Sequence, residues 1–173
     1  MSSALWLIEK TVELVETTIR DNIATALSEV SAERADNLVS LETPYSYFRF
    51  PSARAFRAPA VFTIADEIDF RLPQGQNYIG AVARISVAII CEDKDHFLLT
   101  QKVWRYQSAL TKVLWNAQAL SSDNRVKIVC KVVRNTFSSI FPRDRREDDP
   151  EEIFRKEVVC DLEVEHYENI EPV

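Results

Sequence analysis

The chain has 173 residues, 46% of them hydrophobic and 28% charged, with a net charge of −6 and only 2 glycines. That composition is of a folded globular chain long enough for one domain, and excludes disordered and collagen-like classes. Two glycines cannot build a dinucleotide fingerprint, and Gly75 and Gly80 stand at Walker-A spacing but are followed by Ala81 and Val82, where Lys and Ser/Thr are required. An acidic chain is poorly suited to hold nucleic acid by counterion release, although DNA can still slide past it.

In chain order, residues 4–30 read as a helix. Leu5, Ile8, Val12, Val15, Ile19, Ile23, Ala26 and Val30 form one apolar stripe, with Glu9, Glu13, Glu16, Arg20 and Asp21 off it. Its early apolar run is cut by Glu9 and Lys10, too short for a signal peptide or membrane span. Residues 37–59 follow without periodicity. Pro44, Pro51 and Pro59 punctuate a stretch holding Tyr45, Tyr47, Phe48, Arg49, Phe50, Arg54, Phe56 and Arg57, with no acid between Glu42 and Asp66. Arg and aromatic residues are the composition of interface hot spots, so these eight residues are the candidate subunit or partner interface. The alternative is a loop folded back on its own core.

Residues 60–167 carry the expected sheet. Val61–Ile64 and Ile68–Leu72 are two short extended stretches, and 73–77 a turn. Residues 79–91 make a long strand with Ala81, Ala83, Ile85, Val87 and Ile89 on one face. Asp93 or Asp95 caps a second helix reaching about Leu120, with Leu99, Val103, Tyr106, Leu110, Val113 and Leu114 as its stripe. A turn at 121–124, a strand at 125–137 and a mixed-charge linker at 142–152 lead to the last strand. There Val158, Cys160, Leu162 and Val164 face inward, while Glu157, Asp161, Glu163 and Glu165 face outward. The fold class is α+β: a mainly antiparallel sheet of four to five strands with two helices packed on one face.

Chemistry-bearing motifs are scarce. His96 and His166 have no spaced ligand partner and read as surface or capping residues. Cys91, Cys130 and Cys160 lie among strand-like apolar residues and read as small buried hydrophobes in a reducing compartment. No catalytic residue, metal site or cofactor is expected. Asp161, Glu163 and Glu165 share one strand face, a row that could solvate a rim, line an acidic channel, or hold a cation.

The leading helix, the proline-rich bridge and the stretch AVARISVAIICEDKDHFLLTQKVWRYQSALTKVL, followed by two closing strands, resemble tail terminator (tail completion, head-tail joining) proteins of long-tailed bacteriophages. The likeness lies in the strand 79–91, the acidic helix start 92–95 and the helix holding Trp104, Arg105, Tyr106 and Leu110. It implies a non-enzymatic virion protein, assembled in the host cytoplasm into a ring, usually a hexamer. Such a ring caps the tail tube, contacts the tail tube protein and a head-side connector or neck protein, and lets DNA pass without sequence-specific binding. In such a ring Asp161, Glu163 and Glu165 are the candidate acidic lumen lining. The competing class is a cytosolic dimeric α+β binding protein with a small-molecule pocket between sheet and helices; a third is a metal enzyme using the 161–165 carboxylates. No membrane partner is expected.

Overall fold

The computed structural model describes residues 7–34, 39–49, 56–71, 78–116, 126–143 and 152–169. The expected turns at 73–77 and 121–124, most of the 142–152 linker, Trp6, Phe50 and Arg54 lie outside them. In order, the elements are α1 (Leu7–Arg34), β1 (Ser46–Phe48), β2 (Ala60–Arg71), β3 (Tyr78–Asp93), α2 (His96–Asn116), β4 (Val126–Phe137), β5 (Phe141–Pro142) and β6 (Phe154–Asn169).

The six-stranded sheet has the order β1-β2-β3-β6-β4, with β5 also on β6. It is α+β as expected, with a higher strand count. The extra strands are short: β1 forms inside the aromatic loop and pairs parallel with β2, and β5 continues the lane of β4 along β6. All other pairings are antiparallel. The two short stretches expected at 61–64 and 68–72 are one strand, because pairing with β3 runs through both. A bulge between Ala65 and Glu67 absorbs Asp66 and breaks the alternation that a sequence reading relies on.

β3 and β6 are the centre, sixteen residues each, paired from Tyr78↔Asn169 to Asp93↔Phe154. One side chain in two points to the helices. On β3 these are Ala81, Ala83, Ile85, Val87, Ile89 and Cys91; on β6 they are Val158, Cys160, Leu162 and Val164, all buried. The glutamates of β6 lie on the opposite face, as alternation dictates. Both helices cover the inner face and touch each other. Val12, Val15, Ile19, Ile23 and Val30 of α1 meet Leu99, Val103, Leu110 and Leu114 of α2 in one core with the strands.

Asp95, rather than Asp93, caps α2. Its Oδ1 accepts from the amides of Phe97 and Leu98 at 2.7 and 3.0 Å, satisfying donors that have no partner within the first turn. Asp93 instead accepts from the Asp95 amide at 3.0 Å and pairs with Lys102 in the second turn of the helix. The three cysteines are free and buried, and burial pushes each thiol up to about 12, so none is a thiolate at neutral pH.

Leu162 is 2% exposed between sheet and helices. Leu162→Ala should therefore destabilise the fold by about 2–5 kcal/mol in urea unfolding, whereas Glu163→Ala on the outer face should change it by less than about 1 kcal/mol.

Candidate interaction site

The aromatic and arginine-rich segment folds back on its own core in its described part. β1 continues the sheet alternation, so its side chains divide between the two faces. Tyr47 and Arg49 go to the helix side. There the Arg20 guanidinium lies 5.0 Å from the Tyr47 ring, and Arg49 Nε donates to Glu16 Oε2 at 2.7 Å. Phe48 goes to the outer face. It stacks on Phe62 at 4.9 Å between ring centroids, and Phe56 closes edge-on against both rings. The Arg155 guanidinium lies 4.9 Å from the Phe56 ring centroid and is itself held by Glu92. Phe62 is buried on the outer face only because these rings cover it.

Tyr45 and Arg57 form the outer part of the loop. The Tyr45 amide donates to the Pro59 carbonyl at 2.9 Å, across a loop whose Ala58-Pro59 bond is cis. Arg57 stacks over the Tyr45 ring at 3.9 Å, and its Nη2 donates to the phenol oxygen at 3.1 Å. The Tyr45 hydroxyl donates to Glu42 at 2.6 Å, which raises its pKa. The hydroxyl of Tyr106 on α2 donates to the Glu42 carbonyl, pinning the loop base to the helix layer. Of the eight candidate residues, Tyr45 and Arg57 present their surfaces outward, while Tyr47, Phe48, Arg49 and Phe56 are half-buried against the protein's own core.

Glu16 anchors this arrangement, although its sequence position reads as solvent-facing. It is 2% exposed, bonded by Arg20 one turn along α1 and by Arg49 from the loop. Hydrogen bonding to Glu16 raises the Arg49 pKa. Its neighbours Val12, Val15 and Ile19 place it on the buried side of the helix, the signal that a strict 3-4 stripe overlooks.

His166 is the second residue whose sequence position reads as surface. It is not at the surface but 1% exposed, because the inward parity of Val158, Cys160, Leu162 and Val164 runs two residues further. Its Nδ1 and the Thr11 Oγ1 of α1 are hydrogen-bonded at 2.9 Å. Burial, with the nearby Lys10 charge, lowers its pKa to about 4. His96 is exposed and packs edge-on against Phe154 at 3.9 Å.

The outer sheet face carries Asp161, Glu163 and Glu165 in a row, but basic residues lie among them. Asp161 accepts from Arg134 Nη2 at 2.7 Å and from Ser86 at 3.0 Å. Glu163 lies in register between Arg84 of β3 and Lys131 of β4, and Arg84 pairs with Glu67 of β2 at 2.8 Å. Asp66, Glu67, Arg84, Ser86, Arg134, Asp161 and Glu163 line an open depression of about 650 Å³. Among the described residues, no group of three or more His, Cys, Asp and Glu is placed to hold a metal ion, and no helix is long and apolar enough to cross a membrane.

Two further surfaces were not legible as sites. On α2, Phe97, Trp104 and Trp115 are 66%, 54% and 62% exposed. Their spacings of 7 and 11 residues are roughly two and three helical turns, so they form one line on the side away from the sheet. On the β4–β5 lane Val133, Phe137 and Phe141 are also exposed, Val133 because the bulge between Val132 and Arg134 turns it out.

No protein-family model matches the chain, and no curated protein matches it. A chain from a solved structure of the virion of a native gene transfer agent particle is similar over 85% of this chain and 94% of that chain, at 12% identity and a TM-score of 0.34. A likeness that loose assigns neither fold nor function.

Two outcomes follow. Because His166 takes up protons more readily unfolded, stability should fall as pH drops from about 6.5 towards 4, by on the order of 3 kcal/mol in total. The difference in melting temperature between the wild type and His166→Gln should track that window. For the buried carboxylate, Arg49→Met should cost about 1–2 kcal/mol, since Arg20 still pairs with Glu16. Arg20→Met with Arg49→Met should cost about 3–5 kcal/mol in chemical denaturation, because it leaves the charge uncompensated.

Proposed function

We propose that the chain is a structural virion protein of the tail-terminator type, a subunit that assembles with its own copies into a ring, usually a hexamer. The ring would cap a tail tube, meet the tube protein on one side and a head-side neck protein on the other, and let DNA pass. The observation that carries this reading is that large apolar side chains are exposed in separate places on one fold: the Phe97/Trp104/Trp115 line on α2, and Val133, Phe137 and Phe141 along the β4–β5 lane. Exposed large apolar side chains mark interaction sites, and their presence in separate places suits a subunit that meets a tube protein and a neck protein besides its own copies.

The element order supports the same reading. The long strand β3, the acidic turn at Asp93 and Asp95, and the helix with Trp104, Arg105 and Tyr106 stand in the sequence that the terminator resemblance implies. Tyr45 and Arg57, on the outer part of the 37–59 loop, are the part of that segment offered to a partner. The outer sheet face is the candidate channel lining. With Arg84, Lys131 and Arg134 among Asp161, Glu163 and Glu165, it would neither grip nor strongly repel a phosphate backbone.

A small-molecule binding protein with its pocket between sheet and helices is less well supported. That layer is filled by Ile19, Ile85, Leu99, Leu110, Leu114 and Leu162, all fully or almost fully buried. Electron microscopy of the negatively stained, purified chain separates the two. We expect annular particles with a central opening, at about six times the 19.9 kDa chain mass in light scattering. Compact particles at one or two chain masses would instead favour the binding-protein reading.

A further inference from the structure

The sheet has two open edges, and their charges are opposite. β1 covers β2 only from Ala60 to Phe62, and among the described residues no strand pairs with β2 beyond that point on its outer side. This open stretch carries Asp66, Glu67 and Asp69. At the other side of the sheet, among the described residues, β4 pairs only with β6, and its open edge carries Lys131 and Arg134. Unpaired backbone groups on an edge strand are a template for another strand.

The register makes the opposition specific. One row across the outer face reads Glu67, Arg84, Glu163, Lys131, alternating in charge over four strands. It begins with a carboxylate at one open edge and ends with an ammonium at the other. Glu67 and Arg84 are about half exposed, at 51% and 58% of their side chains, and Lys131 is exposed. A second copy set beside the first in the same orientation would place its Glu67 next to Lys131, and the alternation would continue unbroken.

Backbone geometry fits as well. β2, β3, β6 and β4 are antiparallel in succession, so β4 runs antiparallel to β2 and a neighbouring β4 would extend the same ladder. The two bulges, at Ala65/Glu67 and Val132/Arg134, fall on either side of the row through Ile85 and Leu162. They leave 67–71 and 126–132 regular at the same end of the sheet. We infer that the sheet of one copy continues into the sheet of the next, with the 126–132 edge of β4 paired to the 67–71 edge of β2 and Lys131 opposite the neighbour's Glu67.

The charges also exclude the symmetrical alternatives. β4 against β4 would bring Lys131 and Arg134 of one copy towards those of another, and β2 against β2 would do the same with Glu67 and Asp69. Like charges directly opposite destabilise a strand pair. Only the head-to-tail pairing is complementary, and head-to-tail contacts close into rings rather than dimers. Within it Asp69 lies diagonal to Lys131.

This inference rests on the ring reading, and its test separates the two. Lys131→Glu and Glu67→Lys should each raise the protein concentration at half-assembly by about tenfold, with circular dichroism unchanged. An equimolar mixture of the two variants should assemble near the wild-type concentration, because an alternating ring restores a carboxylate–ammonium pair at every junction. The neutral variants Lys131→Gln and Glu67→Gln should each shift assembly by about threefold and keep the result readable if a reversal impairs folding. Wild-type rings together with variants that assemble unchanged would overturn the edge pairing and leave the ring standing. Failure of the mixture to recover would likewise overturn it. A wild-type chain that stays monomeric or dimeric would overturn both.

Discussion

The pairing of β3 with β6 over sixteen residues each is the constraint from which the other features follow. Once that register is set, every second residue of both strands must face the helices, and a slip of one position would expose the whole apolar set and bury the charges. The inner parity yields a layer of Ala, Val, Ile, Leu and Cys that accepts two helices. The outer parity yields the rows of opposite charge. Because β2 and β4 dock on either side of this pair, they inherit its parity, and the charge pattern of the outer face extends to both edges.

Two polar contacts on neighbouring turns of α1 tie that helix to the sheet and to the long loop. His166, the last inward residue described on β6, bonds to Thr11 on α1. Glu16, one turn and a residue further along the same helix, bonds to Arg49 of the loop. Both are buried groups whose stability depends on their partners being present and in the right charge state. The aromatic loop, with its rings divided between the two faces around β1, therefore acts first as a cover for one corner of the sheet. Among the described residues of that loop, Tyr45 and Arg57 face outward.

Much of the fold was legible in the sequence because the signals were periodic. The inward residues of β3 and β6 and the core stripes of both helices follow directly from alternation and from 3-4 spacing. What was not legible depended on breaks in periodicity or on contacts distant in the chain. Asp66 in its bulge made one strand look like two. β1 is three residues long within a loop and forms only because β2 is there to receive it. Glu16 looked solvent-facing because its burial requires Arg49, 33 residues away. The row Glu67, Arg84, Glu163, Lys131 spans four strands and exists only in the register, so no scan along the chain could assemble it. The carboxylates of β6 read alone as an acidic stripe for the same reason: their basic neighbours lie on β3 and β4.

Under the edge pairing inferred above, the sheet is open in the isolated chain and closed by a copy of itself. Hydrogen–deuterium exchange read at the edge strands, in dilute and in concentrated protein, tests it most directly. The central strands β3 and β6 should be protected at both concentrations, since their amides are paired within the chain. The outward-directed amides of 67–71 and 126–132, every second residue of each edge, should exchange readily in dilute protein and gain protection together as the protein is concentrated. Edge amides that exchange at the same rate at both concentrations, while the protein assembles, would contradict the claim.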